Sequence, residues 1–236
     1  MSAVRRRPAA GWSLTTDRRD AQLSWMLLVL TVVTGMVDAV SILSLGRVFV
    51  ANMTGNVVFI GFALSRAPGF SLEASLSALA GFLIGAGIAG QLVDRVARRT
   101  ALFALGTAME TVLLAGTTLL VIVRRDDLGG GWSYLVAGLA ALALGLQNGV
   151  VRQLAVPDLT TTVLTMTLTG IAADLRSGTV VVRRVLAVMA MLVGAVAGAL
   201  LVLHHGPAVA LGCVLTLSAG VTAAAVRAWR RDVAGR

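Results

Sequence analysis

Six long apolar runs constrain what this chain can fold into. They span 22–46, 72–93, 101–123, 132–151, 185–203 and 207–226. Each is close to the roughly 20 residues that a helix needs to cross a bilayer. Composition agrees, since only 13% of the residues are charged and 57% are hydrophobic. The sequence therefore predicts an all-α polytopic membrane bundle with six transmembrane helices in contact with the lipid bilayer.

The basic residues predict the orientation of the chain. All 20 are arginines, and the formal net charge is +9. They form short clusters between apolar runs, with no aromatic-rich soluble domain beside them, so nucleic-acid binding is not expected. Because cytoplasmic segments carry an excess of arginine, residues 1–21 and 227–236 are predicted to be cytoplasmic tails. A single transmembrane domain, 22–226, lies between them.

Two further stretches, 48–65 and 159–175, are shorter and more polar than the six runs. Each could cross the membrane, break midway or re-enter. Each follows a helix that ends in a related phrase, "GMVDAV" from Gly35 and "GLQNGV" from Gly145. This spacing predicts an internal duplication, with repeats at about 22–125 and 132–226.

The topology of the repeats depends on those two stretches. If they cross, there are eight spans and parallel repeats, with 15 arginines inside and 5 outside. If they re-enter, there are six spans and inverted repeats, with 16 inside and 4 outside. The total charge counts do not separate these alternatives. The dense cluster of Arg95, Arg98 and Arg99 favours re-entry, because eight spans would place it outside.

Polar residues in the two short stretches predict a pathway for a solute or an ion. Asn52 and Asn56 are four residues apart, and Gly55 would allow the helix to break beside them. Unwound backbone at membrane depth is tolerated where it lines a cavity or is buried in protein. Hydrogen bonding between helices is the competing explanation. The predicted pathway residues are Asp38, Asn52, Thr54, Gly55, Asn56, Gln147, Asn148, Thr161, Thr165 and Thr169.

Two carboxyl groups and one arginine need separate interpretation. A carboxylate near a helix centre costs about 2.5–3.5 kcal/mol on insertion scales, so Asp38 is interpreted as a proton, cation or substrate contact. The duplication pairs it with Asn148, and the two would point into one central site. Glu110 has no partner in the other half and is interpreted as a packing residue, with function as the alternative. Arg152 lies in a predicted loop or at a cavity mouth.

Other motifs carry no predicted chemistry. "GAGIAG", from Gly85, resembles a dinucleotide fingerprint, but it lies inside an apolar run, where four-residue spacing of small residues predicts helix packing. Adjacent His204 and His205 do not share a helix face, so no metal site is expected. The single cysteine, Cys213, permits no intramolecular disulfide. No cofactor and no enzymatic activity are predicted.

The segments "TGMVDAVSILSLGRVFVANMTGN", "GLQNGVVRQL" and "TTTVLTMTLTG" together resemble the YoaK-type bacterial membrane family, the domain of unknown function 1275. The resemblance covers nearly the whole chain after residue 20. It implies a protein of the bacterial inner membrane, and the family supplies no established activity.

A small-solute or ion transporter is the leading functional hypothesis, and a non-transporting membrane scaffold is the alternative. Small residues at Gly81, Gly85, Gly194 and Gly198 suit either and could also support a homo-oligomer. A hydrated interior would favour the transporter.

Overall fold

A computed structural model describes residues 18–124, 131–154, 164–173 and 178–235. Those ranges contain helices and connecting turns, and no strand. The eight helices are α1 (Arg18–Ser44), α2 (Met53–Leu64), α3 (Leu72–Arg95), α4 (Arg99–Val123), α5 (Gly131–Leu154), α6 (Leu164–Ala173), α7 (Gly178–His205) and α8 (Pro207–Ala234). All but α2 and α6 are long and apolar enough to cross a membrane, which confirms the predicted fold class.

The two short helices fall in the two polar stretches. With 12 and 10 residues, α2 and α6 are about 18 Å and about 15 Å long, whereas the hydrocarbon core of a bilayer is about 30 Å thick. Neither described helix can therefore cross the bilayer by itself.

The directions of the long helices show that α2 returns the chain to the face it came from. Helices α3 and α5 are parallel, because Gly81 lies against Gly138 and Gly85 against Leu142. Helices α1 and α5 are antiparallel, since the start of α1 shares a hydrophobic cluster with the end of α5, and the end of α1 shares another with the start of α5. Helices α1 and α3 are thus antiparallel, which matches the re-entrant alternative.

Helix contacts repeat between the two halves of the chain. Helix α1 packs on α7 as α5 packs on α3, and α1 contacts α8 as α5 contacts α4. The same correspondence holds for α2 with α3 and α6 with α7, while α4 packs on α8. Exchanging α1 to α4 for α5 to α8 leaves this set of contacts unchanged.

Glycines set the close approach of the paired helices. A methyl group built at Gly85 would collide with the Leu142 carbonyl, and one at Gly194 would collide with the Val32 carbonyl. The predicted packing role of Gly81, Gly85, Gly194 and Gly198 is confirmed, since each lies against another helix of the same chain. A homo-oligomer would therefore need a different surface. Gly90 meets nothing within 4 Å, so it takes no part in this close packing.

Two hydrophobic clusters fill opposite ends of the bundle, and four helices carry buried polar side chains where one cluster gives way to the other. The first cluster includes the end of α1 and the starts of α5 and α8, and the second includes the start of α1 and the ends of α5 and α8. The polar residues at the boundary are Thr34, Glu110, Gln147 and Ser218, all nearly inaccessible.

Candidate functional site

The segment between α1 and α2 folds back along α1 and is held there by two α1 side chains. The Ser41 hydroxyl donates to the Val48 carbonyl at 2.7 Å. The backbone N–H groups of Val50 and Ala51 donate to Asp38 Oδ1 at 2.9 and 3.0 Å. The non-helical backbone of this segment is therefore hydrogen-bonded inside the protein, as backbone within a membrane must be.

The helix break lies before Gly55 rather than at it. Helix α2 begins at Met53 and continues through Gly55, so the expectation that this glycine interrupts the helix is wrong. A methyl group at Gly55 would lie 2.6 Å from Phe49 Cδ2. The glycine therefore makes room for an aromatic ring.

Asn56 closes the same segment from the other side. Its Oδ1 accepts the Phe49 N–H at 2.9 Å, and its Nδ2 donates to the Phe49 carbonyl at 2.6 Å. The side chain is fully buried. Asn52 instead caps α2 and is exposed, so the two asparagines do not form one stripe.

A cluster of phenylalanines connects the folded-back segment to α2 and α3. The Phe49 ring stacks on Phe59 with centroids 5.6 Å apart, and Phe59 contacts Phe70 at 5.0 Å. Such pairs stabilise by about 0.5–1.5 kcal/mol beyond area burial. They fix the position of Phe49 beside α1.

A cavity of about 630 Å³ lies next to this segment. Three predicted pathway residues line it, namely Asp38, Asn52 and Thr165. The two halves of the chain both contribute, since Thr165 belongs to α6. Apolar lining comes from α1, α2, α7 and the folded-back segment, including Gly35, Ala39, Phe49, Phe59, Met191 and Ala195.

Asp38 has one carboxylate oxygen that no group among the described residues satisfies. Oδ1 holds the folded-back segment, while Oδ2 is buried and has no hydrogen-bond partner in the part of the chain that the structure describes. An unsatisfied buried oxygen costs about 1–3 kcal/mol, and more when it is charged. A hydrogen-bond donor in the cavity would remove that cost.

The remaining predicted residues lie elsewhere. Thr54 and Thr169 are exposed, and Thr169 donates to the Thr165 carbonyl at 2.9 Å. Thr161 falls outside the described residues. Arg152 is exposed in the last turn of α5, so placing it in a loop is wrong.

The polar residues of α4 and α5 do not line the Asp38 cavity. Asn148 is half-buried, donates to the Leu144 carbonyl at 2.8 Å and does not belong to the cavity lining beside Asp38. Gln147 donates to Thr34 Oγ1 at 3.5 Å, while its Oε1 has no partner among the described residues. Both carboxylate oxygens of Glu110 are likewise buried with no partner in the described ranges.

A second cavity, of about 370 Å³, lies at the face where α1 begins. Its lining includes Arg99, Arg231 and Asp232. Arg99 donates to the Leu154 carbonyl and Thr100 to Asp232 at 3.1 Å, so part of this polar lining serves contacts between helices.

Sequence reasoning missed the apolar half of the Asp38 site. Phe49 and Phe59 flank "NMTGN", but the sequence prediction centred on polar side chains and included neither ring. Met191, Ala195 and Ala199 come from α7, where no polar signal marks them. Their four-residue spacing on one helix face was the available indication.

The fold and the site together define a polytopic membrane protein, helical in the ranges that the structure describes, with a buried carboxyl group beside a partly open cavity. Residues 26–224 match the family described as protein of unknown function (DUF1275), and the chain belongs to that family. The predicted resemblance is thereby confirmed.

The chain is also similar to the UPF0700 transmembrane protein YoaK of Bacillus subtilis (strain 168). The two are 31% identical over 152 residues, which cover 64% of this chain and 66% of the relative. The match thus spans just under two thirds of the relative's length. No solved structure matches this chain.

Proposed function

We propose that this protein is a membrane carrier that binds a small solute or ion in the cavity beside Asp38. One observation carries the proposal: Asp38 lines a cavity of about 630 Å³, and one of its carboxylate oxygens is buried without a hydrogen-bond partner among the described residues. A cavity of that size is typical of small-molecule sites, which range from about 300 to 1,000 Å³. Asp38 is the ionisable side chain in the described lining, so the proposal assigns proton or cation exchange to it.

The arrangement of the two halves supports carriage. Side chains of both halves line the cavity, and the helix contacts are unchanged when the halves are exchanged. Inverted repeats with discontinuous helices are typical of secondary transporters, whose sites lie between the repeats. The proposal therefore includes an inverted internal duplication and involves no catalytic step. A scaffold would instead favour a closed, dry interior, with no cavity beside the carboxylate.

Accessibility of the cavity tests the proposal. Thr165→Cys is introduced after Cys213→Ser, and a membrane-impermeant thiol reagent is applied to right-side-out and inside-out vesicles. A carrier exposes the cavity to each side in turn, so Thr165→Cys should react in both preparations. Ala140→Cys is the control, because Ala140 is fully buried in the first hydrophobic cluster and should not react. Reaction from a single side only, in every condition tried, would refute carriage and favour the scaffold.

A further inference from the structure

We infer that the occupant of the Asp38 cavity is a small organic amine in its ammonium form, with an apolar or aromatic body. This inference rests on the proposed function, and it concerns the chemical class of the solute rather than whether the solute moves. It draws on the hydrogen bonds of Asp38, the other polar groups of the cavity, the apolar lining and the cavity volume.

The unsatisfied group in the site is an acceptor. Asp38 Oδ1 already accepts two backbone N–H groups, and this fixes the orientation of the carboxylate. Oδ2 has no partner within the described ranges, and Asp38 lines the cavity. A ligand that satisfies Oδ2 must donate a hydrogen bond, and a charged donor forms the stronger bond with a carboxylate.

The other polar groups of the cavity select against anions and hard divalent cations. The described lining contains no arginine or histidine that could pair with an anion. Its polar side chains are Asp38, Asn52 and Thr165. Ca²⁺ takes 6–8 oxygen ligands, which three side chains do not supply. An ammonium group needs only one carboxylate oxygen and a few neutral acceptors.

The rest of the lining fits an apolar body. Phe49 and Phe59 stack at 5.6 Å and both line the cavity, so their rings can contact an aromatic ring or an ammonium group. Small residues on α1 and α7, including Ala39, Ala195 and Ala199, leave space opposite the rings. The volume, about 630 Å³, accommodates a ligand of the size of benzylamine with room for larger amines.

Three probes of nearly the same shape test this assignment. Equilibrium binding of benzylamine, benzyl alcohol and benzoate is measured on the purified full chain in lipid nanodiscs at neutral pH. Benzylamine carries a positive charge there, benzyl alcohol none and benzoate a negative charge. We expect benzylamine to bind about tenfold to hundredfold more tightly than benzyl alcohol, and benzoate not to bind.

Two variants locate the site. Asp38→Asn keeps an Oδ1 acceptor for Val50 and Ala51 but removes the charge, and it should weaken benzylamine binding at least tenfold. Ala199→Leu narrows the cavity and leaves Asp38 in place, and it should also weaken binding. This second variant keeps the site testable if Asp38→Asn fails to fold. Glu110→Gln is the matched control and should bind benzylamine as the parent does, because Glu110 does not line the cavity.

The outcomes separate this inference from the proposed function. Equal binding of benzylamine and benzyl alcohol, or competition by NaCl alone that abolishes benzylamine binding, would overturn the amine assignment. Two-sided reaction of Thr165→Cys without benzylamine binding would leave carriage intact and the amine assignment wrong. Asp38-dependent benzylamine binding with one-sided reaction would uphold the amine site and refute carriage.

Discussion

Asp38 combines a structural contact and an unsatisfied one in a single carboxylate. Its Oδ1 accepts from Val50 and Ala51, and its Oδ2 has no partner in the part of the chain that the structure describes. An ionisable side chain is costly in a membrane helix, and such residues usually belong to a functional site. Experiments can distinguish the roles of the two oxygens, because Asp38→Asn retains one acceptor oxygen and Asp38→Ala retains none.

Asp38→Ala should destabilise the protein, while Asp38→Asn should leave stability unchanged or slightly raised. The alanine leaves two buried N–H groups without an acceptor, and each costs about 1–3 kcal/mol, or about 2–6 kcal/mol together. The thermal midpoint of each purified variant in one detergent measures the difference. Equal loss in both variants would show that the charge itself stabilises the fold.

Glu110 is the buried carboxyl group outside the cavity. It is inaccessible, and neither oxygen has a partner among the described residues. Glu110→Met should therefore raise stability by about 1–3 kcal/mol, because it replaces an unsatisfied polar group with an apolar side chain of similar length. Thermal unfolding measures this change, with Glu73→Gln at the exposed start of α3 as a control expected to change by less than about 0.5 kcal/mol. A marked loss of stability in Glu110→Met would contradict the structural placement and indicate an unseen partner.

The sequence indicated where the polar segment lies but not the contacts that its residues make. A polar stretch beside Asp38 was readable because amides and a carboxyl group are costly in a membrane. The particular role of Asn56 was not readable, since its partner is the backbone of Phe49, seven residues away. Hydrogen bonds to backbone leave no trace in the identity of the partner residue.

At the scale of helices, length and hydropathy predicted which long helices exist, but they did not predict which helices pack against each other. The six apolar runs correspond to the six long helices. Small residues predicted close packing in α3 and α7 but not their partners. Because α3 packs on α5 and α7 on α1, each contact joins one half to the other, and local sequence patterns do not encode such long-range choices.

Two glycines on α3 provide a direct test of that packing. Gly85 lies against the Leu142 carbonyl of α5, whereas Gly87 meets nothing within 4 Å. Gly85→Ala should therefore force α3 and α5 apart and destabilise the protein by about 1–3 kcal/mol, as overpacking does. Gly87→Ala should be neutral or stabilising by up to about 1 kcal/mol, because alanine is the better helix former. Thermal midpoints of the two variants give the comparison, and similar values would contradict the parallel α3–α5 contact.

For the whole molecule, helix directions and arginine positions predict one orientation. Helices α1 and α3 are antiparallel, so α1, α3 and α4 run in alternating directions. Helices α5, α7 and α8 also alternate, and each runs opposite to its counterpart in the first half. The face where α1 begins carries Arg95, Arg98 and Arg99, whereas the opposite face carries Arg47, Arg66 and Arg124. With re-entrant short helices the complete sequence divides as 16 arginines against 4, so the arginine-rich face should be cytoplasmic, together with both termini.

Labelling of single cysteines on the arginine-poor face tests this orientation and the inverted repeat together. In a Cys213→Ser background, Arg66→Cys and Arg124→Cys should both react with an impermeant reagent applied to intact cells, because the two positions follow α2 and α4 on the outer face. Arg230→Cys, exposed near the end of α8, should react only after the cells are opened. Eight crossings with parallel repeats would instead place Arg66 and Arg124 inside. Protection of both from the external reagent, with labelling after permeabilisation, would therefore mean that the short segments cross the membrane and that the two halves share one orientation.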